Sequence, residues 1–228
     1  MTATTRRTVG FLSRRGRTAV RPSLSPALTI SLSLPRPLSP GVFSLLLINF
    51  AVHIAATSFA PGLAATLALS HLVPRWWQFV TAAFVHASWD HLFGNAFSLL
   101  VFGRMVEEEE GAFGLWATYV VCGIAGNVAS YLSAPHTATV SLGASSSVFG
   151  LFAVGVLTKV RLDVRRMLEA VVLGGYVWKQ VMQETAALAS GGTTVGGMSV
   201  GHWAHLGGAV GGVLLVLMLS RLPKEEGD

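Results

Sequence analysis

The sequence of 228 residues has little charge and almost no cysteine. Only 12% of its residues are charged, whereas a soluble domain usually carries about 25%. With 52% hydrophobic residues and a mean hydropathy of +0.59, the composition excludes a disordered chain and argues against an ordinary soluble enzyme. The single cysteine, Cys122, excludes an intramolecular disulfide and a metal site built from several cysteines.

Acidic residues are missing from the first 40 positions, which hold seven arginines and five prolines among many serines and threonines. The other 188 residues hold nine basic and eleven acidic residues, so the pI near 10 comes from this leader. The basic charge therefore predicts no nucleic-acid partner for the body of the protein. The composition of residues 1–40 is typical of an organelle transit peptide without folded structure, and a disordered basic tail is the alternative.

From Gly41 onward the chain is a series of apolar stretches. A membrane helix needs about 20 apolar residues to cross the hydrocarbon core. Five stretches meet this requirement: 42–60, 87–106, 112–134, 137–158 and 203–220. A sixth, 166–188, is weaker, since only nine uncharged residues separate Glu169 from Lys179. The sequence predicts an all-α membrane protein with six transmembrane helices in residues 41–222 and a short polar tail at 223–228.

The charges of the loops orient these spans. We call the leader's face of the membrane side A and the opposite face side B. Side A holds seven basic residues, Arg104, Lys159, Arg161, Arg165, Arg166, Arg221 and Lys224, whereas the side B loops hold only Arg75. The positive-inside rule makes side A the stroma or matrix face. The long first loop, 61–86, carries Trp76 and Trp77 beside Arg75 and is predicted to lie in the membrane interface.

Four polar residues stand out because a polar side chain in hydrocarbon needs a partner or a cavity. His91 and Asn95 share one face of the second span, Ser145 belongs to the small-residue turn that leads into the helix of the fourth, and His205 lies at the start of the sixth. These spans all begin on side B, so the four residues lie at similar depth. Ser145 is a candidate nucleophile and His205 its base, with His91 and Asn95 as donors to an oxyanion. No buried acid is placed to orient His205, so a dyad is predicted.

Each of these residues also has a plain structural interpretation. Ser145 alone could satisfy a backbone carbonyl, and His205 alone could be a packing or haem-type histidine. A metal site from His91, His202 and His205 lacks a carboxylate or cysteine ligand, so no metal is predicted. Small residues at Gly207, Gly208, Gly211 and Gly212, and at Ser146 and Gly150, predict close helix contacts.

Other polar residues are given structural roles. Asn49, His53 and Thr57 form one face of the first span and are predicted to face inward; a small transporter is the alternative function built on them. Glu107 is either a solvated helix end or a residue that reaches back into the loop network. His71, His86 and His136 are placed in loops or at interfaces.

Several segments together resemble one family, the rhomboid intramembrane serine proteases. They are Trp76–Phe79, Phe84–Asn95, Phe102–Glu107, Gly143–Ser145 with Phe149–Leu151, and Ala204–Gly208. The resemblance covers about residues 41–222, and the ordered combination is more specific than any one motif. The sequence around Val106–Trp116 and the Arg-rich leader resemble most closely the sequences of the plastid rhomboids of plants and algae.

The resemblance implies a six-helix rhomboid-type bundle that cleaves transmembrane protein substrates in or near their membrane segments, without a cofactor. It implies Ser145 as nucleophile, His205 as general base, and His91, Asn95 and the Ser145 backbone N–H as the oxyanion hole. It also implies that the fifth helix and loop 190–201 form a gate. The expected location is a chloroplast membrane, with the mitochondrial inner membrane as the alternative. A catalytically inactive rhomboid-like protein that binds and escorts membrane helices is the alternative function, and the oligomeric state is left open.

The chain departs from the family's pattern at two positions. Ser146 stands where the family usually has Gly, and its CH₂OH group is expected to crowd the contact between the fourth and sixth helices or the oxyanion pocket. Gln78 stands where the family has Arg after Trp, and a change in interfacial anchoring of the first loop is expected.

Overall fold

The structure is a computed structural model that describes residues 40–159 and 201–221, with four isolated positions, 172, 174, 175 and 179, between these ranges. In chain order the elements are α1 (Pro40–Ile54) with a π-helical extension (Ala55–Phe59), α2 (Leu63–Leu67), β1 (Leu69–Ser70), α3 (Gln78–Thr81), a 3₁₀ turn (Ala82–Phe84), α4 (Trp89–Ser98), a π-helical segment (Leu99–Gly103), α5 (Arg104–Ser133), β2 (Val140–Ser141), α6 (Ser145–Lys159) and α7 (His202–Leu219). The described chain is mostly helical, as predicted. The exception is a short antiparallel ribbon in which β1 pairs with β2.

Three described helices are long and apolar enough to cross a membrane: Pro40–Phe59, Trp89–Ser133 and His202–Leu219. They contain four of the predicted spans, because the second of them holds two. Helix α6 is shorter and starts at Ser145, eight residues later than the predicted fourth span, since Val140–Ser141 is extended and Gly143 has a φ of 116°. The fifth predicted span, its gate function with loop 190–201, the leader and the polar tail lie outside the described residues, apart from isolated positions.

Gly111 divides the 45-residue helical stretch into two antiparallel arms. Its φ of 73° and ψ of 178° are not helical, and glycine adopts them without steric cost. Leu115 lies 3.5 Å from the position that a Cβ on Gly103 would occupy. Twelve residues of straight helix would separate them by about 18 Å, so the chain turns back at Gly111. The boundary predicted between the second and third spans is therefore placed correctly.

Helices α5, α6 and α7 pack against one another through residues without bulky side chains. Gly208 lies against the backbone of Ser146, and a Cβ on Gly212 would stand 2.6 Å from the carbonyl oxygen of Gly150. On the other side of α7, Gly207 and Gly211 face α5, where they meet alanine side chains. The small-residue motifs thus bring α7 close to both neighbours, as predicted.

Helix α1 is held to α5 by polar contacts. The buried carboxylate of Glu107 accepts hydrogen bonds from the backbone N–H groups of Gly41 at 2.8 Å and Val42 at 2.9 Å. It therefore satisfies two free donors at the start of α1, where negative charge is also favoured. Further along α1, the Asn49 amide donates to the Tyr119 hydroxyl at 3.2 Å. Asn49 and His53 are buried as predicted, whereas Thr57 is exposed.

Candidate active site

The turn before α6 fixes the position of Ser145. Gly143 adopts a φ of 116°, a value that residues with a side chain rarely adopt. Its N–H donates to the carbonyl of Ala82 at 2.9 Å. The next residue, Ala144, donates its N–H to Nε2 of His86 at 3.4 Å. Ser145 then opens α6, 8% exposed, where backbone N–H groups have no partner within the helix. A serine hydroxyl and free backbone donors therefore lie together.

His91 lies beside this turn. A Cβ on Gly143 would be 2.9 Å from Nε2 of His91 and 3.8 Å from Oγ of Ser145, so both groups flank one residue. His91 is held at the start of α4, where Oγ of the cap residue Ser88 accepts from its backbone N–H at 3.2 Å. Its Nε2 is buried and has no hydrogen-bond partner in the described part of the chain. A donor is thus available next to the serine.

Asn95 lies one turn further along α4, on the same face as His91. It is 9% exposed, and its Nδ2 donates to the carbonyl oxygen of His91 at 3.0 Å. An amide nitrogen carries two hydrogens, so one of them remains for another acceptor. His91 and Asn95 therefore share one helix face, as predicted, and a hydrogen bond joins the Asn95 side chain to the His91 backbone.

His205 of α7 contacts α6, the helix that Ser145 opens. Its ring stacks on Phe149, with centroids 4.7 Å apart and planes at 15°. Phe149 is one turn after Ser145 and lies on the same face of α6. Neither ring nitrogen of His205 has a hydrogen-bond partner among residues 40–159 and 201–221, so the Ser145–His205 hydrogen bond is not formed here. Such bonds are often long in ligand-free enzymes and tighten when substrate binds.

His86 lies in the loop between the 3₁₀ turn and α4, as predicted, but the sequence did not indicate that it belongs to the candidate site. It is 5% exposed, accepts the N–H of Ala144, and its ring lies 5.1 Å from that of His91. Burial lowers the pKa of His86 well below its usual value, and nearby His91 and His53 lower it further. The neutral ring is what the acceptor role requires. One feature of the sequence could have indicated this: His86 lies only five residues before His91, in the segment that also holds Asn95.

The side chain of Ser146 packs against α5. Its Cβ and Oγ lie against Gly126 of α5, and the Ser146 atoms nearest to Gly208 belong to the backbone. The absence of a side chain at Gly126 makes room on α5 for the CH₂OH group. The expected crowding of the contact between α6 and α7, or of the oxyanion pocket, stays a prediction.

Gln78 is buried, not interfacial. Its side-chain oxygen accepts from the N–H groups of Ser70 at 3.3 Å and Arg75 at 3.1 Å, and its Nε2 donates to the carbonyl of Thr66 at 3.2 Å. Gln78 thus holds three parts of the first loop together. The expected change in the interfacial anchoring of this loop stays a prediction. Trp76 is 80% exposed, and the interfacial position of this loop stays a prediction.

Among the residues that the structure describes, no group of three His, Cys, Asp or Glu residues is placed to hold a metal ion. His202 is exposed, whereas His205 is buried three residues later. Cys122 is buried against Gly150, in agreement with its interpretation as a small hydrophobic residue.

Comparison with known proteins identifies the family. Residues 73–222 match the family model of the Rhomboid domain. The chain is 46% identical over 198 residues to Rhomboid-like protein 11, chloroplastic, of Arabidopsis thaliana, covering 85% of this chain and 70% of that protein. It is 24% identical over 205 residues to Rhomboid protease AarA of Providencia stuartii, covering 79% and 72%. It is also 28% identical over 150 residues to Rhomboid protease GluP of Bacillus subtilis, covering 66% and 27%. The chain belongs to the rhomboid family.

Proposed function

We propose that the protein is an intramembrane serine endopeptidase that cleaves peptide bonds in or near transmembrane segments of membrane proteins. One observation carries this proposal: Ser145 opens α6 with the His91 ring beside it and the His205 ring stacked one turn further along the same helix. A nucleophile, an aromatic base and a neutral donor thus lie around one helix start, in a chain whose bacterial relatives include named rhomboid proteases.

The proposed reaction uses only side chains and backbone of this chain together with water. Ser145 Oγ attacks the carbonyl carbon of the scissile bond while a ring nitrogen of His205 takes its proton, and the same proton is then given to the leaving amine. Water attacks the resulting ester with His205 again as base, which releases the acid and regenerates Ser145. His91, Asn95 and the Ser145 N–H donate to the negative oxygen, and one such donor is typically worth about 2.7–4 kcal/mol.

We place the protein in a bilayer with six membrane spans, including the fifth predicted span at 166–188. The chloroplastic relative and the Arg-rich leader support a chloroplast membrane, with the mitochondrial inner membrane as the alternative. A side A that faces the stroma puts Ser145 nearer to the opposite face. The substrates are membrane-anchored proteins, which reach the site laterally from the lipid.

The second candidate function is a non-catalytic rhomboid-like protein that binds and escorts membrane helices. The absence of a hydrogen bond from either ring nitrogen of His205 in the described chain favours it, because such a protein has no need of an activated serine.

Cleavage in vesicles separates these functions. Full-length protein is reconstituted with a single-span substrate that carries a different tag at each end. A protease yields two tagged fragments, and both Ser145→Ala and His205→Ala abolish them, whereas His202→Ala, an exposed histidine on the same helix, leaves them unchanged. Intact substrate that co-purifies with wild type and both variants alike identifies the binding protein and overturns the protease.

A further inference from the structure

A buried chain of hydrogen bonds lies outside the proposed catalytic group. Nε2 of His71 is 2.8 Å from Oγ of Ser141, and this oxygen is 2.7 Å from Oγ of Ser130. Nδ1 of His71 is 3.1 Å from the carbonyl oxygen of Ala134. His71, Ser141 and Ser130 are 1%, 4% and 3% exposed, so these bonds are shielded from competing water. We call the three residues the latch.

The direction of each bond follows from the donors available. A carbonyl oxygen only accepts, so Nδ1 of His71 carries the proton that it donates to Ala134. In the neutral ring Nε2 is then an acceptor, and the Ser141 hydroxyl donates to it. Ser141 in turn accepts from the Ser130 hydroxyl. Every polar side-chain atom of the latch therefore takes part in a bond, and no hydroxyl is left for chemistry.

The latch joins the segments that carry the nucleophile and the base. His71 directly follows β1 in the first loop, and its N–H donates to the carbonyl of Thr139 at 3.0 Å. Ser141 ends β2, four residues before Ser145. Ser130 lies near the end of α5, with Oγ 3.1 Å from the Cβ position of Gly201, the cap of α7 four residues before His205.

We propose that His71, Ser141 and Ser130 are positioning residues that fix the start of α6 relative to the start of α7, and thereby set the approach of Ser145 to His205. This inference rests on the proposed protease function for its catalytic consequence. It gives the first loop a role in catalysis, because displacement of His71 frees β2 and the turn that leads to Ser145. Small errors in such placement are costly, since a shift of about 1 Å can slow a reaction about 100-fold.

The test measures how fast a fluorophosphonate labels Ser145 in purified full-length protein, per folded molecule. Ser141→Ala and Ser130→Ala are each expected to slow labelling at least about tenfold. The double variant is expected to be no slower than the slower single variant, because both changes break one chain. Ser141→Thr keeps the hydroxyl and restores most of the rate. Thr137→Ala is the matched control, since this exposed hydroxyl binds the same Ala134 carbonyl and its loss leaves the rate unchanged.

Unchanged rates in both single variants, or losses that multiply in the double variant, would overturn the latch. A label found on Ser141 would also overturn it, because that serine would then be reactive and not structural. If wild type takes no label, the protease proposal fails, and amide hydrogen exchange decides on the latch alone. Faster exchange at residues 139–146 and 201–205 in Ser141→Ala supports it, and exchange equal to wild type overturns it.

Discussion

Two groups of buried polar residues differ in how they use their hydrogen bonds. The latch of His71, Ser141 and Ser130 has a partner for every side-chain polar atom. Around Ser145 the opposite holds. Among the described residues, seven buried side-chain polar atoms have no partner, and they belong to His53, His86, His91, His205 and Ser147.

Under the proposed function, this difference distinguishes polar groups that hold the fold from groups that are left unpaired for the reaction. An unpaired buried polar group costs about 1–3 kcal/mol, so proteins retain few of them and place them at functional sites. Nε2 of His91 lies beside the Gly143 turn next to Ser145, and the His205 ring stacks on Phe149, one turn along the same helix. In the proposed reaction a substrate carbonyl and the serine proton would supply the partners of these nitrogens. The latch and the packing of the glycine-lined helices compensate for that cost.

The largest effects are expected when one histidine of each group, His205 near Ser145 and His71 of the latch, is replaced by leucine. His205→Leu is expected to lower cleavage at least about 1,000-fold, since the base is lost. It leaves the melting temperature equal or raised, because two unpaired nitrogens disappear. His71→Leu is expected to destabilise the fold by about 1–3 kcal/mol, since Ser141 and the Ala134 carbonyl each lose one of their two hydrogen-bond partners. Thermal melting and cleavage rates measure both, and a fall in stability for His205→Leu equal to that for His71→Leu contradicts the comparison.

The second test is the close packing of α6 against α7, because the positions of Ser145 and His205 depend on this contact. A Cβ on Gly208 would collide with the backbone of Ser146, which cannot move without α6. Gly208→Ala is therefore expected to cost about 3 kcal/mol, the upper end for overpacked cores, and to abolish labelling of Ser145. Gly62→Ala is the control, since nothing lies within 4 Å of its Cβ position. Similar unfolding midpoints for the two variants would show that this contact is not tight.

The third test is the pH dependence of folding stability, to which the buried ring of His86 is expected to contribute. The pKa of His86 is lowered, so below about pH 6.5 the unfolded chain binds a proton that the folded chain does not. Stability is thus fully present above about pH 6.5 and falls with further acidification, by at most about 1.4 kcal/mol per pH unit for this group. His86→Gln retains an acceptor for Ala144 and does not titrate. Unfolding measured from pH 8 to 5 is expected to show a smaller slope for this variant, and equal slopes refute the assignment.

The smallest effect is expected at Ser147, which is fully buried with an unpartnered hydroxyl. Ser147→Ala should leave the free energy of unfolding equal or slightly higher, within about 1 kcal/mol. Ser98→Ala is the matched control, because Oγ of Ser98 donates to the carbonyl of Gly94 at 3.0 Å and its loss removes a satisfied bond. Destabilisation by Ser147→Ala greater than by Ser98→Ala would indicate a hidden partner.

Local patterns predicted much of this arrangement. The ends of the first and last described spans follow from apolar length, and helical spacing puts His91 and Asn95 on one face. The late start of α6 was missed, because a two-residue ribbon has no periodicity long enough to detect.

Contacts between distant residues are what the sequence alone does not contain. His71 and Ser141 are 70 positions apart, and only the folded loop makes them neighbours. The contact of the Ser146 side chain with Gly126 likewise depends on how α5 and α6 are rotated about their axes. Patterns within one helix specify its face but not the rotation of its neighbour.

The most direct test of the account is to map the fluorophosphonate adduct on the full-length protein by peptide mass spectrometry. The account predicts one adduct, on Ser145, which is lost in Ser145→Ala and in His205→Leu while both variants remain folded. A folded wild type that carries no adduct, or an adduct on Ser141 instead, would contradict it.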